Sequence, residues 1–364
     1  MINDPVNFPP ETINGIMTTG FLTPPGSSNW IYPKALQREI NAAAGGYECD
    51  IPLDFPEIAA NDREAAIALL EKLSSKVFRV SKYAASKFDW DVLAVFFTTT
   101  DRMQHFWWND PEITRHYQFL DRMLGDYVKM ANEASADLIV VSDHGFGPLN
   151  RTFHVNEWLE QRGLAKYRKH LLSAFLSRIG LTKSKITRSW GPRPPIFTGL
   201  PVSLQEIITR TLPQTNQSLR ELDVAESAAF ARTSSGIYLQ RKDLRYYLLN
   251  ELPQIRDKFH EPIFERVVDR DEALNGPYSY RAPDLFLQPH IGWGVSHSKN
   301  GDAHSKWTGT HRTEGIFVHY RPQSSPLMPV SGPIRPWDVA AIVLRAVDIP
   351  IPSYFEGEAP AYFA

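Results

Sequence analysis

Asp137-Leu138-Ile139-Val140-Val141-Ser142-Asp143-His144-Gly145-Phe146-Gly147 is the stretch that decides the fold. Its first half is an apolar, β-branched run, the pattern of a strand buried on both faces. Its second half sets two adjacent metal-capable side chains where that strand ends. Two glycines then free the backbone to turn sharply. A polar turn that only satisfies its own backbone would use similar residues, so the neighbours must decide.

Upstream, Tyr117 to Ala134 places Leu120, Met123, Leu124, Tyr127 and Val128 on one helical face. Before it, Trp90-Asp91-Val92-Leu93-Ala94-Val95-Phe96-Phe97 is a second nearly unbroken apolar run and predicts another buried parallel strand. Strand, helix and strand in this order make a βαβ unit. The expected fold is therefore α/β, a mostly parallel sheet flanked by helices, with ligands at the carboxyl ends of the strands. Helical spacing also predicts helices over 34–45 and 60–87, and a last one from Trp337 to Val347. Gly236-Ile237-Tyr238-Leu239-Gln240, Pro283-Asp284-Leu285-Phe286-Leu287 and Gly315-Ile316-Phe317-Val318-His319 are further strand candidates.

Composition narrows the function. The chain has 364 residues, 43% hydrophobic, with 39 Lys and Arg against 41 Asp and Glu. A net charge of −2 provides no global field for nucleic acid or anionic membrane. No apolar run approaches the roughly 20 residues of a membrane helix, and Met1-Ile2-Asn3-Asp4-Pro5 has no basic region leading into an apolar stretch, so a cytoplasmic protein is expected. A single cysteine, Cys49, excludes an internal disulfide framework and any multi-thiolate metal site. Any metal must be held by His and carboxylates.

One segment departs from the rest. From Gln161 through Gln205 there is no Asp or Glu, while nine Lys or Arg occur. The expectation is a basic helical insertion or lid over 160–222, within a single domain spanning 1–364. It would attract phosphate-bearing substrate, lie on a membrane surface, or pack on the core as a solvated excursion.

The first apolar run ends in Thr98-Thr99-Thr100-Asp101, with His105 four residues on. On a helix those two side chains share a face, giving a zinc half-site, although Asp101 would also serve as a helix cap. Asp143 and His144 close the second strand. His311, in Thr308-Gly309-Thr310-His311-Arg312, is the third candidate; His297 and His304 lie in a polar stretch and read as solvent-exposed. Five N and O ligands without thiolates suit two metal ions about 4 Å apart that hold the attacking and leaving oxygens of a phosphate ester.

Thr100-Asp101-Arg102-Met103-Gln104-His105, Ser142-Asp143-His144-Gly145-Phe146-Gly147-Pro148 and Gly309-Thr310-His311-Arg312-Thr313-Glu314-Gly315 resemble the metal motifs of the alkaline phosphatase superfamily. The type I phosphodiesterase/nucleotide pyrophosphatase branch is the nearest in pattern. Val155-Asn156-Glu157-Trp158-Leu159, Gly236-Ile237-Tyr238-Leu239 and Ala282-Pro283-Asp284-Leu285 carry the similarity along nearly the whole chain. The resemblance implies two divalent ions, zinc with manganese or iron as alternatives. Asp101, His105 and His311 would hold one ion; Asp143 and His144 would hold the other. The substrate would be a small phosphate ester, with Arg312, Trp107 and Trp108 as pocket candidates.

In that family the second ion takes a further Asp from the end of the first strand, and a Thr or Ser beyond it is the nucleophile. The likeness begins past both, at Ile2-Asn3-Asp4-Pro5, which reads as the tail of a strand leaving a sheet. Thr18, Thr19, Thr23, Ser27 and Ser28 lie after that point, and no neighbouring Asp marks them as activated. An N-terminally incomplete core, lacking a strand and helix, is therefore expected, along with an unpaired apolar sheet edge. Three readings stand: part of a metal-dependent phosphoesterase whose N-terminal portion is absent from this chain, as in a truncated or split gene, with a partner fragment or homo-oligomer as a further expectation; an inactive metal- or ligand-binding relative; and a sulfatase or metal-dependent phosphomutase on the same core.

Overall fold

A computed structural model describes residues 1–52, 54–169, 220–298, 307–322 and 332–360. Contacts divide the chain into two compact units, Met1–Pro148 with Lys306–Ala364, and Leu149–Ser305. Most of the basic stretch 160–222 lies outside the described residues. Among the described residues, no helix is long and apolar enough to cross a membrane.

The first unit is mixed α/β. A short hairpin pairs β1 (Met17–Thr18) with β2 (Ile31–Tyr32). Helices α1 (Gln37–Ala44), α2 (Phe55–Asn61) and α3 (Arg63–Lys87) follow. The carboxylate of Asp62 caps α3 by accepting from Ala65 N, and Ala66, Leu70, Leu73, Val77, Val80 and Ala84 form its buried stripe. The N-terminal end of that stripe packs with Phe55 and Met103; the C-terminal end packs with Ile2, Ile31 and Ile40. Helix α4 (Thr99–Trp107) carries the first candidate ligands. Helix α5 (Pro111–Ala134) starts six residues before its expected bound, with Asp110 as cap and Pro111 in the first turn, where a missing N–H costs nothing. It ends at Ser135 in the left-handed conformation, φ 51°.

Strand β3 (Leu138–Val141) is present where the sequence predicts it, but only half-buried, and Val141 is 43% exposed. Its described partner is antiparallel, the later strand Phe317–Tyr320. The run 92–97 corrects the other strand expectation. Ile2 bridges Val95 in parallel, with Ile2 N donating to Ala94 O and Phe96 N to Ile2 O. No longer ladder forms among the described residues, and the segment is half-buried, with Val92 exposed. Apolar composition reports what a strand would bury; a ladder also needs partner backbone, and here one residue provides it. Ile2, Asn3 and Asp4 are nonetheless buried, so the terminal segment is docked rather than frayed.

Strand β4 (Gly145–His154) begins in the first unit and continues into the second. In the second unit α6 (Val155–Gln161) is followed by a short antiparallel pair, β5 (Tyr167–Lys169) with β6 (Arg220–Leu222). The elements β7 (Ala229–Thr233), β8 (Gly236–Leu239), α7 (Leu244–Glu251), β9 (Phe264–Asp269), α8 (Arg270–Ala273) and β10 (Leu285–Pro289) come next. An antiparallel sheet in the order β7-β8-β10-β9 packs on Leu159, Leu248 and Leu252. Asn156 ties α6 to this sheet, accepting from Ala231 N and donating to Ala231 O and His297 O. Buried Asp284 accepts from Leu239 N and from Lys242. Strand β11 (Gly292–Ser296) runs parallel to the later part of β4. Back in the first unit, β12 (Gly309–Arg312) is antiparallel to Gly145–Pro148, β13 (Phe317–Tyr320) pairs with β3, and α9 (Asp338–Ala346) closes the described fold.

The α/β class is thus present, while the expected mostly parallel sheet is not what the described strands form. Among the described residues, β4–β11 is the one parallel ladder, beside isolated parallel bridges at Ile2–Val95 and Asp4–Thr19. Side-chain pattern fixes which face is buried and leaves direction open.

Behind α4, the ring of His116 lies fully buried, with Nε2 3.0 Å from Thr99 Oγ1, which is itself bonded to Ser74 Oγ. Burial lowers its pKa from 6.5 to about 4. The unfolded chain therefore binds a proton that the folded one refuses. Stability is complete above pH 6.5 and falls as pH drops toward 4, by about 3 kcal/mol at about 1.36 kcal/mol per unit. His116→Gln should flatten this part of the stability profile; denaturant melts at pH 7 and pH 4.5 check it, and parallel profiles for both proteins would refute the assignment.

Candidate functional site

The candidate ligands all lie in the first unit. Asp101 and His105 are one turn apart on α4, facing one side, as i and i+4 residues do. His311 comes from β12, and Asp143 and His144 come from the turn between β3 and β4.

Two close backbone approaches bring these segments together. At the first, Thr308 N donates to His105 O at 2.7 Å, and Trp108 N donates to Thr308 Oγ1 at 2.8 Å. A Cβ on Gly309 would overlap the Gln104 carbonyl oxygen and touch Trp108, so only glycine lets β12 lie this close to α4. At the second, Ser142 N donates to Ile316 O and Ile316 N to Ser142 Oγ, with Gly315 packed directly on that hydroxyl. Residues 308–316 are pinned at both ends.

The result is a tight polar cluster. His311 Nε2 lies 3.0 Å from Asp101 Oδ1 and 3.1 Å from His105 Nε2. His105 Nε2 is 3.4 Å and His144 Nε2 3.9 Å from the same carboxylate oxygen. The rings of His144 and His311 stack at 3.8 Å. His105 is buried and stacks on Trp307 at 3.6 Å. Nδ1 of His105 faces Gly309 O at 3.1 Å, and Nδ1 of His144 faces Gly145 O at 3.1 Å. A carbonyl only accepts, so each Nδ1 carries the hydrogen; in the uncharged ring the Nε2 lone pair then points inward.

These donors fit a divalent ion. Ligands held about 2.0–2.1 Å from a tetrahedral zinc stand about 3.3 Å apart, close to the spacings of His105, His311 and Asp101. One atom each from Asp101, His144 and His311 lies within 4.8 Å of the others. Burial works to raise the Asp101 carboxyl; the protonated forms of the His105 and His311 rings, which donate Nε2–H, then the charges of His105 and Arg102, outweigh it and hold Asp101 far below the usual carboxylate range. The acceptor form of Asp101 is what a cation needs.

Asp143 is different. Its side chain is 87% exposed, and its carboxylate accepts from His144 N at 3.1 Å and sits 3.5 Å from His144 Nε2. His144 therefore stands between the Asp101 cluster and Asp143. Of the pocket candidates, Trp108 stacks on Phe146, whose ring packs against His105, His144 and His311. Trp107 instead joins the core beside Phe106, under the Arg63 guanidinium. Arg312 lies back along β4, donating to Pro148 O. His297 is half-buried rather than exposed, and His304 lies outside the described residues.

Sequence reasoning missed Trp307, Arg102 and Asp50. Arg102 follows Asp101 directly and donates to its Oδ2 at 2.8 Å, with Asp50 Oδ2 3.6 Å from its other branch. Trp307 shares a segment with His311, the one signal that pointed to it; Asp50 carried none.

The family model for type I phosphodiesterase / nucleotide pyrophosphatase matches residues 19–316, which include every ligand candidate. No curated protein matches the chain.

Gly309→Ala tests the first close approach. The added methyl forces β12 off α4, at about 1–3 kcal/mol for an overpacked contact. Gly125→Ala, in the middle of α5 with nothing near the new methyl, should instead be neutral or stabilise by up to about 1 kcal/mol. Thermal unfolding of both variants checks the contrast.

Proposed function

The chain belongs to the type I phosphodiesterase / nucleotide pyrophosphatase family, and from that premise we propose that it is a metal-dependent hydrolase of small phosphate esters. The observation that supports this most is the convergence of Asp101, His105 and His311 from segments about two hundred residues apart, with both Nε2 atoms within 3.4 Å of Asp101 Oδ1. A structural role alone would not require two imidazoles, buried His105 and exposed His311, to share one carboxylate oxygen.

In this reading Asp101, His105 and His311 hold one divalent ion, zinc with manganese or iron as alternatives, and Asp143 with His144 reaches toward a second. Such ions polarise phosphoryl oxygens and make a nucleophile available at neutral pH. The chain's own residues do the positioning. Gly309 O and Gly145 O fix two imidazoles, Asp101 supplies negative charge, and Phe146 with Trp108 gives one wall an apolar surface for the ester group. A third ligand for the second ion, and the hydroxyl nucleophile, come from outside these five residues.

Metal content and hydrolysis of a nitrophenyl phosphodiester test it together. Asp101→Ala should lose the first ion and more than the about hundredfold in activity that outer-shell partners typically cost. Asp143→Ala should lose one equivalent of metal and keep the other. Turnover that survives both chelation and Asp101→Ala would sink the reading. Faster hydrolysis of a sulfate ester than of the phosphodiester would move the chain to the sulfatase alternative.

A further inference from the structure

The two oxygens of Asp101 are divided between different partners. Oδ1 faces the imidazoles of His105, His144 and His311, whereas Oδ2 accepts from Arg102 Nη1 at 2.8 Å. Neighbouring residues on a helix normally diverge, about 100° apart, so this bond requires Arg102 to fold back over its own helix. Two contacts from outside α4 hold it there. Asp50 Oδ2 lies 3.6 Å from Nη2, and the guanidinium lies over the Phe21 ring at 5.6 Å. Arg102 is only 24% exposed, and its Nε and Asp50 Oδ1 are buried without a hydrogen-bond partner. Leaving two polar atoms unsatisfied costs stability. That cost is consistent with a fork whose position is set by something other than its own hydrogen bonding.

We propose that Arg102, braced by Asp50 and Phe21, is a positioning residue that clamps Oδ2 of Asp101 and presents Oδ1 alone to a divalent cation. The inference rests on the metal-site reading above. A carboxylate free to rotate about its terminal torsion would offer either oxygen, or both, and would lose the fixed spacing to His105 and His311. The planar guanidinium prevents this because its hydrogens take up Oδ2 in one orientation. A lysine at 102 would keep the charge and lose the fork.

The experiment is zinc titration calorimetry on the full chain after chelator treatment, with cobalt(II) absorption as a readout of ligand geometry and thermal unfolding of the metal-free protein as control. Arg102→Gln should bind zinc about 10–100-fold more weakly, the usual size of an outer-shell effect, and should change the cobalt spectrum, with metal-free melting little altered. Arg102→Lys should recover part of the affinity. Arg102→Gln binding within twofold of the parent, with the same cobalt spectrum, would overturn the inference and leave the metal site standing. If the parent chain takes up no zinc, the metal reading fails and this inference with it. Should Arg102→Gln fail to fold, Asp50→Asn decides: it keeps the bond to Asp101 and removes the brace. A several-fold loss of affinity at unchanged melting supports the clamp, and unchanged affinity overturns it.

Discussion

The site depends on how closely the start of β12 approaches the end of α4. Three hydrogen bonds join them: Thr308 N to His105 O, Trp108 N to Thr308 Oγ1, and His105 Nδ1 to Gly309 O. The absence of a side chain at Gly309 permits all three. This contact determines the placement of His311 against Asp101 and His105. It fixes the tautomer of His105, and it sets His311, two residues further along β12, across from Asp101. The Ser142–Ile316 pair then anchors the other end of the same segment against the turn that carries His144. A site held by backbone approaches at both ends has little freedom to adjust to a displaced ligand, which is the property expected of a preorganised centre.

The electrostatics carry a corresponding cost. Asp101 is largely buried among three imidazoles and one guanidinium, and Asp50 adds a second carboxylate near Arg102. Burial alone would push both acids toward the neutral form. They diverge because of their partners. Asp101 collects hydrogen bonds with His105 and His311 and is held low, while burial leaves the Asp50 carboxyl raised in spite of Arg102. The one cation between two acids is thus weighted toward the acid that faces the imidazoles.

Much of this was legible in the sequence, for reasons that can be stated. Helices α3 and α5 announce themselves because a buried stripe must recur every three to four residues, although Asp110 and Pro111 start α5 six residues before its expected bound. The turn after β3 was legible because polar residues directly after an apolar run must leave the sheet at its edge. Strand direction was not legible: the run 138–141 pairs antiparallel with 317–320, and nothing in its side chains encodes that. Nor was the half-burial of 92–97, since burial depends on which backbone lies alongside. Asp50 and Trp307 escaped for a related reason. Their roles exist only through contacts with residues about 50 and 200 positions away, Arg102 and His105, and no local pattern reports such a contact.

His144 lies between the set of three and the set of two ligands that the family resemblance implies. Its Nδ1 is held by the carbonyl of the next residue, so the direction of its Nε2 is set by the local turn. Its ring is held flat against His311, which belongs to the Asp101 cluster. Among the described residues, the partners of Asp143 are the backbone N–H and the ring of His144, and its side chain is 87% exposed. Rigidity therefore decreases across the site, from His105 buried under Trp307, through His144, to an Asp143 that is ordered only by its neighbour. A cation entering on the Asp101 side meets ligands already aligned. Under the proposed metal reading, ordering the exposed Asp143 carboxylate would be part of the binding free energy on its side and would lower affinity there for the same donor chemistry.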